Sequence, residues 1–384
     1  MQVSLITCEQ ELSRYVDAWQ ALTADHPMRS PAWLLTWWDV RCAAWSAADE
    51  RLFVLIVTDD QQRLVGLAPW YQSTTAFEGV TLRFLGTGRT CSDHLSLVHA
   101  PGMGATTAEC IARWLASPRG RRLWNTLRLE AIDAHDDGIE HFINLLRAAG
   151  MRVDLRGTSG LWQVDLPPTW EEYLSQVSKN HRKRCRRWER DLLSGGRAQV
   201  HVVGSTVELA KGFDVLVDLH SRRRRTLGDH GLFADPEQFQ FHRRALERLH
   251  AAAQLRLSWL EIDGQPAACE YQLVGGRTVH AYQSGVAPEF FDLGAGNVSV
   301  LASIKFAIES GYSRFDFMRG DEEYKAHWGA YRVSAQNFIV HSMGFEGNLR
   351  HIAWRTGSLG RQWLKTLVNA RATAVKPLDS SSVP

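Results

Sequence analysis

The sequence predicts an α+β protein built from two similar lobes, and three observations carry that expectation. In the second half the patterns run strand, two helices, three antiparallel strands, helix, strand, short helix, strand. The first half follows the same rough order without a clean internal sequence repeat, so the duplication is one of topology. The 384 residues also exceed the length at which one core stops growing, roughly 250–300 residues. Each lobe is expected to hold a mixed, mainly antiparallel sheet flanked by helices.

The elements of the first half follow from local patterning. Val3–Ile6 is a short strand, and Glu9–Thr23 places Leu12, Val16, Trp19 and Leu22 at helical spacing. Ser30-Pro31 opens a second helix, Ser as cap and Pro in the first turn. Arg51–Thr58 and Leu64–Tyr71 are strands separated by the hairpin signal Asp59-Asp60-Gln61-Gln62. Further strands fit near 81–86, 93–98 and 125–131, with helices over 104–116 and 138–149. Gly157-Thr158-Ser159-Gly160 is expected to be a small flexible join. It divides an N-terminal lobe (1–157) without the catalytic site from a catalytic lobe (158–345).

The second lobe begins with a strand at Leu161–Leu166 and a long helix over Thr169–Leu193. A strand at Ala198–Val203 and helices over 205–226 and 235–253 follow. Three strands come next, Leu255–Ile262, Ala267–Val274 and Thr278–Gly285, the first two joined by an Asp263-Gly264 turn. A helix near 297–310, a strand Arg314–Met318, a short helix near 321–328 and a strand Val333–His341 complete it. Residues 346–384 are expected to be a basic helix and a disordered tail.

Composition narrows the function. A formal net charge of +2 confines any basic function to a local patch. The six cysteines show no CxxC or CxxxC spacing, so no zinc or redox framework is expected and no metal is assigned. No signal peptide is visible at the N-terminus, and no stretch reaches ~18 apolar residues. The expectation is a reduced cytoplasmic protein.

Several segments carry chemistry. Asp292-Leu293-Gly294-Ala295-Gly296, followed by Asn297, lies between a strand and a helix. Such a turn admits an anion to the helix N-terminus, or it is simply a loop with a glycine cap. In Arg314–Met318, Asp316 sits mid-strand on the face opposite Phe315 and Phe317. It is either a base or a structural carboxylate bonded to loop N–H groups. Arg319-Gly320-Asp321-Glu322-Glu323-Tyr324-Lys325-Ala326-His327-Trp328 packs many functional types together, with Asp321 a candidate helix cap. Tyr324 and Lys325 can donate to a leaving thiolate, an oxyanion or a phosphate. Glu270 and Gln272 share one strand face, as do Tyr282 and Ser284. These polar pairs line a substrate cleft or form a wet sheet face.

Lys179, Arg182, Lys183, Arg186 and Arg190 recur on one helical face, opposite Leu174, Val177, Cys185, Trp188 and Leu192. Arg222–Arg225 adds four cations. Such a surface suits a nucleotide phosphate, tRNA or an anionic lipid. RNA is the weaker reading, because base stacking needs interleaved aromatics and only Trp188 is available. Trp33, Trp37 and Trp38 either stack on sugars or fill the core. The tail helix, with Arg350, Arg355, Arg361 and Lys365 beside Trp354 and Trp363, caps the domain or touches a membrane surface.

Taken together, Gly285–Gly296, the Phe315–Trp328 run, the Ser178–Arg190 helix and Ser30–Trp38 resemble the bacterial BioF2-like, or CelD/BcsL-like, acyltransferases. The Asp-x-x-x-Gly-x-x-x-Tyr-Lys core, Asp316 to Lys325, is the more specific part. The resemblance implies tandem GNAT (acyl-CoA N-acyltransferase) lobes related to the FemABX peptidyltransferases. It implies an acyl-CoA donor, most simply acetyl-CoA, and an amine or hydroxyl acceptor on a small molecule, sugar or polysaccharide. The candidate catalytic residues are Asp316 or Glu270 as base, Tyr324 as proton donor to the thiolate, and Lys325, which matches the lysine that assists transfer in FemABX relatives. Gly294, Ala295, Gly296, Asn297, Arg319 and Gly320 would hold the cofactor, and Gln272, Tyr282, Ser284, Arg182, Arg186, His327 and Trp328 the substrate. Phe291 stands where the GNAT phosphate loop has Gln or Arg. FemABX relatives use aminoacyl-tRNA, so a tRNA-dependent peptidyltransferase, or an anion-binding protein with a degenerate GNAT fold, is the alternative.

Overall fold

The computed structural model describes residues 1–44, 50–75, 78–320 and 322–343. Asp321 and the whole tail segment lie outside these residues. Thirteen strands are described: β1 (Gln2–Ile6), β2 (Glu50–Thr58), β3 (Leu64–Thr75), β4 (Gly79–Phe84), β5 (Val98–His99), β6 (Thr126–Asp133), β7 (Arg152–Asp165), β8 (Ala198–Val202), β9 (Leu255–Ile262), β10 (Gln265–Gly275), β11 (Thr278–Val286), β12 (Arg314–Arg319) and β13 (Tyr331–His341). They form one continuous mixed, mainly antiparallel sheet in the order β1-β2-β3-β4-β6-β13-β7-β12-β11-β10-β9-β8, with β5 appended to β3. The α+β expectation holds, and the two halves show the anticipated similar order.

Gly157–Gly160, read as a flexible join, lies inside β7. The first part of β7 pairs with the end of β13, where Arg152 faces His341, and its last part pairs with β12, where Asp165 faces Arg314. β13 in turn reaches back to β6 of the first half, Ala335 opposite Asp133. Backbone hydrogen bonds therefore run unbroken from one half to the other. The hairpins fall where the turn residues put them: β2–β3 closes at Thr58↔Leu64 and β9–β10 at Ile262↔Gln265.

Side-chain caps set the helix starts, as the sequence chemistry requires. Asp136, Thr169, Ser178, Ser205 and Asp235 each accept a backbone N–H three or two residues on. The long helix expected over Thr169–Leu193 is split for this reason. It ends at Gln176 and restarts at Lys179 because Ser178 caps a second helix, which then widens into a π turn over Glu189–Leu193. The expected strand near 93–98 shrinks to Val98–His99, because residues 85–97 leave the first sheet half as a loop and dock on β12.

Two cores cover the sheet. One holds the first half together with the helices Thr206–Arg225 and Pro236–Ala251; the other packs Trp170–Gln176, Lys179–Trp188 and Ala295–Glu309 on the opposite face of β9–β12. Leu174, Val177, Cys185, Trp188 and Leu192 are all buried, as their spacing required. Trp33, Trp37 and Trp38 are core residues: the Trp33 ring meets Phe241 and Tyr282 edge-on at 4.8 and 5.0 Å. No helix among the described residues is long and apolar enough to cross a membrane.

Candidate active site

β11 and β12 run parallel for only three register pairs, Thr278↔Arg314, Val279↔Phe315 and His280↔Asp316. Beyond His280 the two strands separate. Their facing edges then carry backbone groups without a ladder partner. Two contiguous clefts, of about 390 and 510 Å3, open along this gap and share Arg223, Glu270, Ser284, Val300 and Tyr324. Their sizes are in the range of small-ligand sites, roughly 300–1,000 Å3.

Glu270 is the chemically singular group in this cleft. It points from β10 toward the helix Ala295–Glu309 and is 5% exposed. Burial pushes its carboxyl up to about 8, against a hydrogen bond from Ser299 and the charge of Arg256, which both favour the ionised form. Such a group takes up a proton near neutral pH and releases it again. Tyr324 faces the same space, half exposed, with its ring edge-on to Phe317 at 6.1 Å. Burial, with the nearby Glu270 and Glu322, holds its hydroxyl well above the ordinary phenol range. Ser284 lines both clefts, and Phe315, Phe317 and Met318 form the β12 wall.

The glycine turn forms the other end of the cleft. Gly294 adopts φ 74° and starts the helix Ala295–Glu309, so the first N–H groups of Ala295, Gly296 and Asn297 have no helical acceptor. A side chain at Gly294 would meet the Trp188 indole at 3.0 Å, and one at Gly296 would meet Val286 at 3.1 Å. Close packing and a left-handed backbone, both of which glycine satisfies, fix this turn. The missing cation is supplied in space. Arg223, from the end of the helix Thr206–Arg225, lays its guanidinium 4.9 Å from the centre of the Phe291 ring and lines both clefts.

Other expected site residues are placed differently. Asp316 is fully buried and does not line the cleft. Its Oδ1 accepts the Met318 N–H at 2.7 Å, its Oδ2 accepts from Gln163 at 2.9 Å, and His94 Nε2 stands 2.9 Å away. Burial opposes ionisation there, but the neighbouring His94 and His280 imidazoles outweigh it and hold the carboxyl far below its usual range. A base must be able to take a proton, so this environment argues against that role and for the structural reading. Lys325 is buried too. Its ammonium donates to the carbonyls of Arg319 at 2.9 Å and Gly320 at 3.3 Å and pairs with Glu322 at 2.9 Å, which pins the loop after β12 at the edge of the cleft.

Arg319 ties the halves together. Its Nε donates to Asp93 Oδ1 at 2.6 Å and its terminal nitrogen to the Ser92 carbonyl at 3.2 Å. It borders the cleft with Gly320 but is engaged by the first half rather than presented to a phosphate. Tyr282 also lines the cleft, while its hydroxyl donates to the Thr90 carbonyl at 2.5 Å. Gln272 is buried away from the opening and accepts from Arg256 at 2.8 Å. Trp328 is core, edge-on to His181 at 4.4 Å, with its carbonyl accepting from Tyr173. Its large apolar ring wins burial over ligand contact. Arg182, Arg186 and His327 lie outside the cleft lining, and Arg186 pairs with Glu171 at 2.8 Å.

The sequence reading missed Ser299, Phe317, and the loop residues Cys91 and Asp93, which close the cleft from the first half. Arg223 was visible only as one member of a cationic run. The polar stretch Thr87–His94, rich in functional side chains between two apolar segments, was the available signal for the loop.

Residues 179–326 match the family model described as an acetyltransferase (GNAT) domain. No curated protein matches the sequence. Among solved structures, FemX is similar over 88% of this chain and 97% of its own, with TM-score 0.61 and 12% identity. A conserved protein of unknown function from Bacteroides thetaiotaomicron is similar over 89% and 100%, with TM-score 0.53 and 10% identity. The C-terminal domain of a putative lysylphosphatidylglycerol synthetase from Agrobacterium fabrum is similar over 88% and 95%, with TM-score 0.50 and 10% identity. At these identities the likenesses describe the fold.

Proposed function

Starting from a GNAT acyltransferase domain in the C-terminal half, we propose that the protein transfers an acyl group, most simply acetyl, from acyl-CoA to an amine in the cleft between β11 and β12. The observation that carries this reading is the buried Glu270 carboxyl, at about 8, placed where the two strands separate. The acyl chain would enter between the strands. The diphosphate would meet the N–H groups of Ala295–Asn297, with the positive end of the helix dipole and Arg223 opposing its charge.

The acceptor nitrogen attacks the thioester carbonyl carbon directly. The carbonyl oxygen gains charge and is held by backbone N–H groups of β11 past His280. The acceptor attacks as the neutral amine, and Glu270 takes the proton that its nitrogen loses as the C–N bond forms, through water where the distance requires it. The carbon–sulfur bond then breaks, and Tyr324 donates its proton to the leaving thiolate. Cys269 is not placed as an acyl carrier: it is buried and alternates away from Glu270 along β10. The acceptor would be a small molecule or a glycan-linked group, held on the side of the cleft lined by Cys91, Asp93 and Arg319.

A second reading rests on Arg223 and Arg224, which line the cleft at the end of the run Arg222–Arg225. Such cations also suit the phosphates of an aminoacyl-tRNA donor. Acyl transfer assayed with acetyl-CoA, longer acyl-CoAs and aminoacyl-tRNA against a panel of amines separates the two. Turnover with acyl-CoA that disappears in Glu270→Gln supports the first reading; turnover confined to aminoacyl-tRNA replaces it with the second.

A further inference from the structure

We propose that His94, His280 and Asp316 bind one divalent transition-metal ion of the zinc type, which staples the two halves of the protein together at the root of the β11/β12 gap. His94 comes from the loop of the first half. His280 and Asp316 are the last register pair before β11 and β12 separate. All three are buried, and one donor atom from each lies within 4.8 Å of the other two. Asp316 Oδ2 stands 2.9 Å from His94 Nε2 and 3.8 Å from His280 Nδ1.

Neither of these two imidazole nitrogens makes a hydrogen bond. The 2.9 Å approach of His94 lacks the alignment of an N–H···O bond, and 3.8 Å is too long for one. Buried polar nitrogens are nearly always satisfied, so two orphans aimed at one carboxylate oxygen require an explanation. Imidazole and carboxylate together are a donor set for Zn2+ and its neighbours, with a fourth position left for water.

The surroundings orient this set as metal ligands are oriented. His94 Nδ1 is 2.7 Å from Asp133 Oδ1, which fixes Nε2 as the inward nitrogen. Gln163 Nε2 donates to Asp316 Oδ2 at 2.9 Å. A carboxylate behind a histidine that faces a metal is a recurring outer contact. The ion also supplies the positive charge that a fully buried Asp316 needs. None of the three residues lines the substrate cleft, so the ion acts on the joint between the halves rather than on the reaction. Cysteine spacing could not reveal such a site, since no cysteine takes part.

The competing arrangement is a His94 imidazolium bridging Asp133 and Asp316 without an ion. Full-length protein, stripped with chelator and titrated with Co2+, separates them. The proposal predicts one equivalent bound, visible absorption from a low-symmetry nitrogen–oxygen site, displacement by Zn2+, and a Tm raised by Zn2+. Asp133→Asn should weaken binding roughly 10–100-fold, as loss of such an outer contact does. His280→Ala should abolish binding, whereas His201→Ala, on the surface pair with Glu261, should retain it. If His280→Ala fails to fold, X-ray absorption of the Co2+-loaded parent reads the ligands directly. Folded parent that binds no stoichiometric ion, sulfur ligands in that spectrum, or full binding by a folded His280→Ala variant would each overturn the proposal.

Discussion

Arg223 and Phe291 meet at the mouth of the cleft, the guanidinium 4.9 Å from the ring centre. The ring holds the cation beside the helix start at Ala295, where a donor phosphate would sit. A charge the turn itself lacks is thus delivered by a different helix.

Arg223→Ala should raise KM for acyl-CoA roughly 10–100-fold, from about 1.5–3 kcal/mol for a hydrogen bond to a charged group. kcat should change little, because this contact is made equally in the ground and transition states. Steady-state kinetics at varied donor concentration read the split. A fall in kcat with KM unchanged would contradict the assignment.

Glu270→Gln should lower kcat by roughly 10²–10⁴-fold, the usual contribution of a general base. With the carboxyl at about 8, the parent's kcat/KM should rise with pH and level off above that value. Stability should move the other way. The folded state keeps this proton while the unfolded carboxyl releases it at ~4.3, so the contribution is full below that pH and is lost as pH rises through about 8. Urea melts between pH 4 and 9 should show Glu270→Gln losing less stability across that window than the parent.

Asp316→Asn should act on the fold. Breaking a buried charge pair leaves the partner uncompensated and costs about 3–5 kcal/mol. A marked drop in Tm with residual turnover is expected at temperatures where the variant stays folded. An unchanged Tm with abolished turnover would return Asp316 to the role of base.

Asp93 and Arg319 join the two halves through a hydrogen-bonded charge pair, Asp93 being almost fully buried. A double-mutant cycle of Asp93→Ala and Arg319→Ala should give a coupling of about 0.5–3 kcal/mol in unfolding free energy. Additive effects would show that the pair does not bind the halves together.

Much of the fold was legible because it rests on local signals. The period-2 pattern of β9–β11, the Asp263-Gly264 turn and the caps at Ser178 and Ser205 are written in neighbouring residues. Glu270, Tyr324, Ser284 and the Gly294–Asn297 turn were picked out by residue type and position, and the structure brings them to one cleft. What was hidden depends on long-range pairing. The passage of β7 from one sheet half to the other cannot be seen in Gly157–Gly160 alone, which reads as a loop. The burial of Asp316 depends on His94 and Gln163, far off in the chain. Gln272 and Trp328 share residue types with binding sites, and only three-dimensional packing shows them facing inward.

The most direct test of the central claim is a crystal structure of the protein with acetyl-CoA or its hydrolysis-resistant analogue. The account predicts the pantetheine arm between β11 and β12, the diphosphate at the N–H groups of Ala295–Asn297 beside Arg223, and the acyl carbonyl within reach of Glu270. Coenzyme A bound elsewhere, or no complex at millimolar ligand, would contradict it.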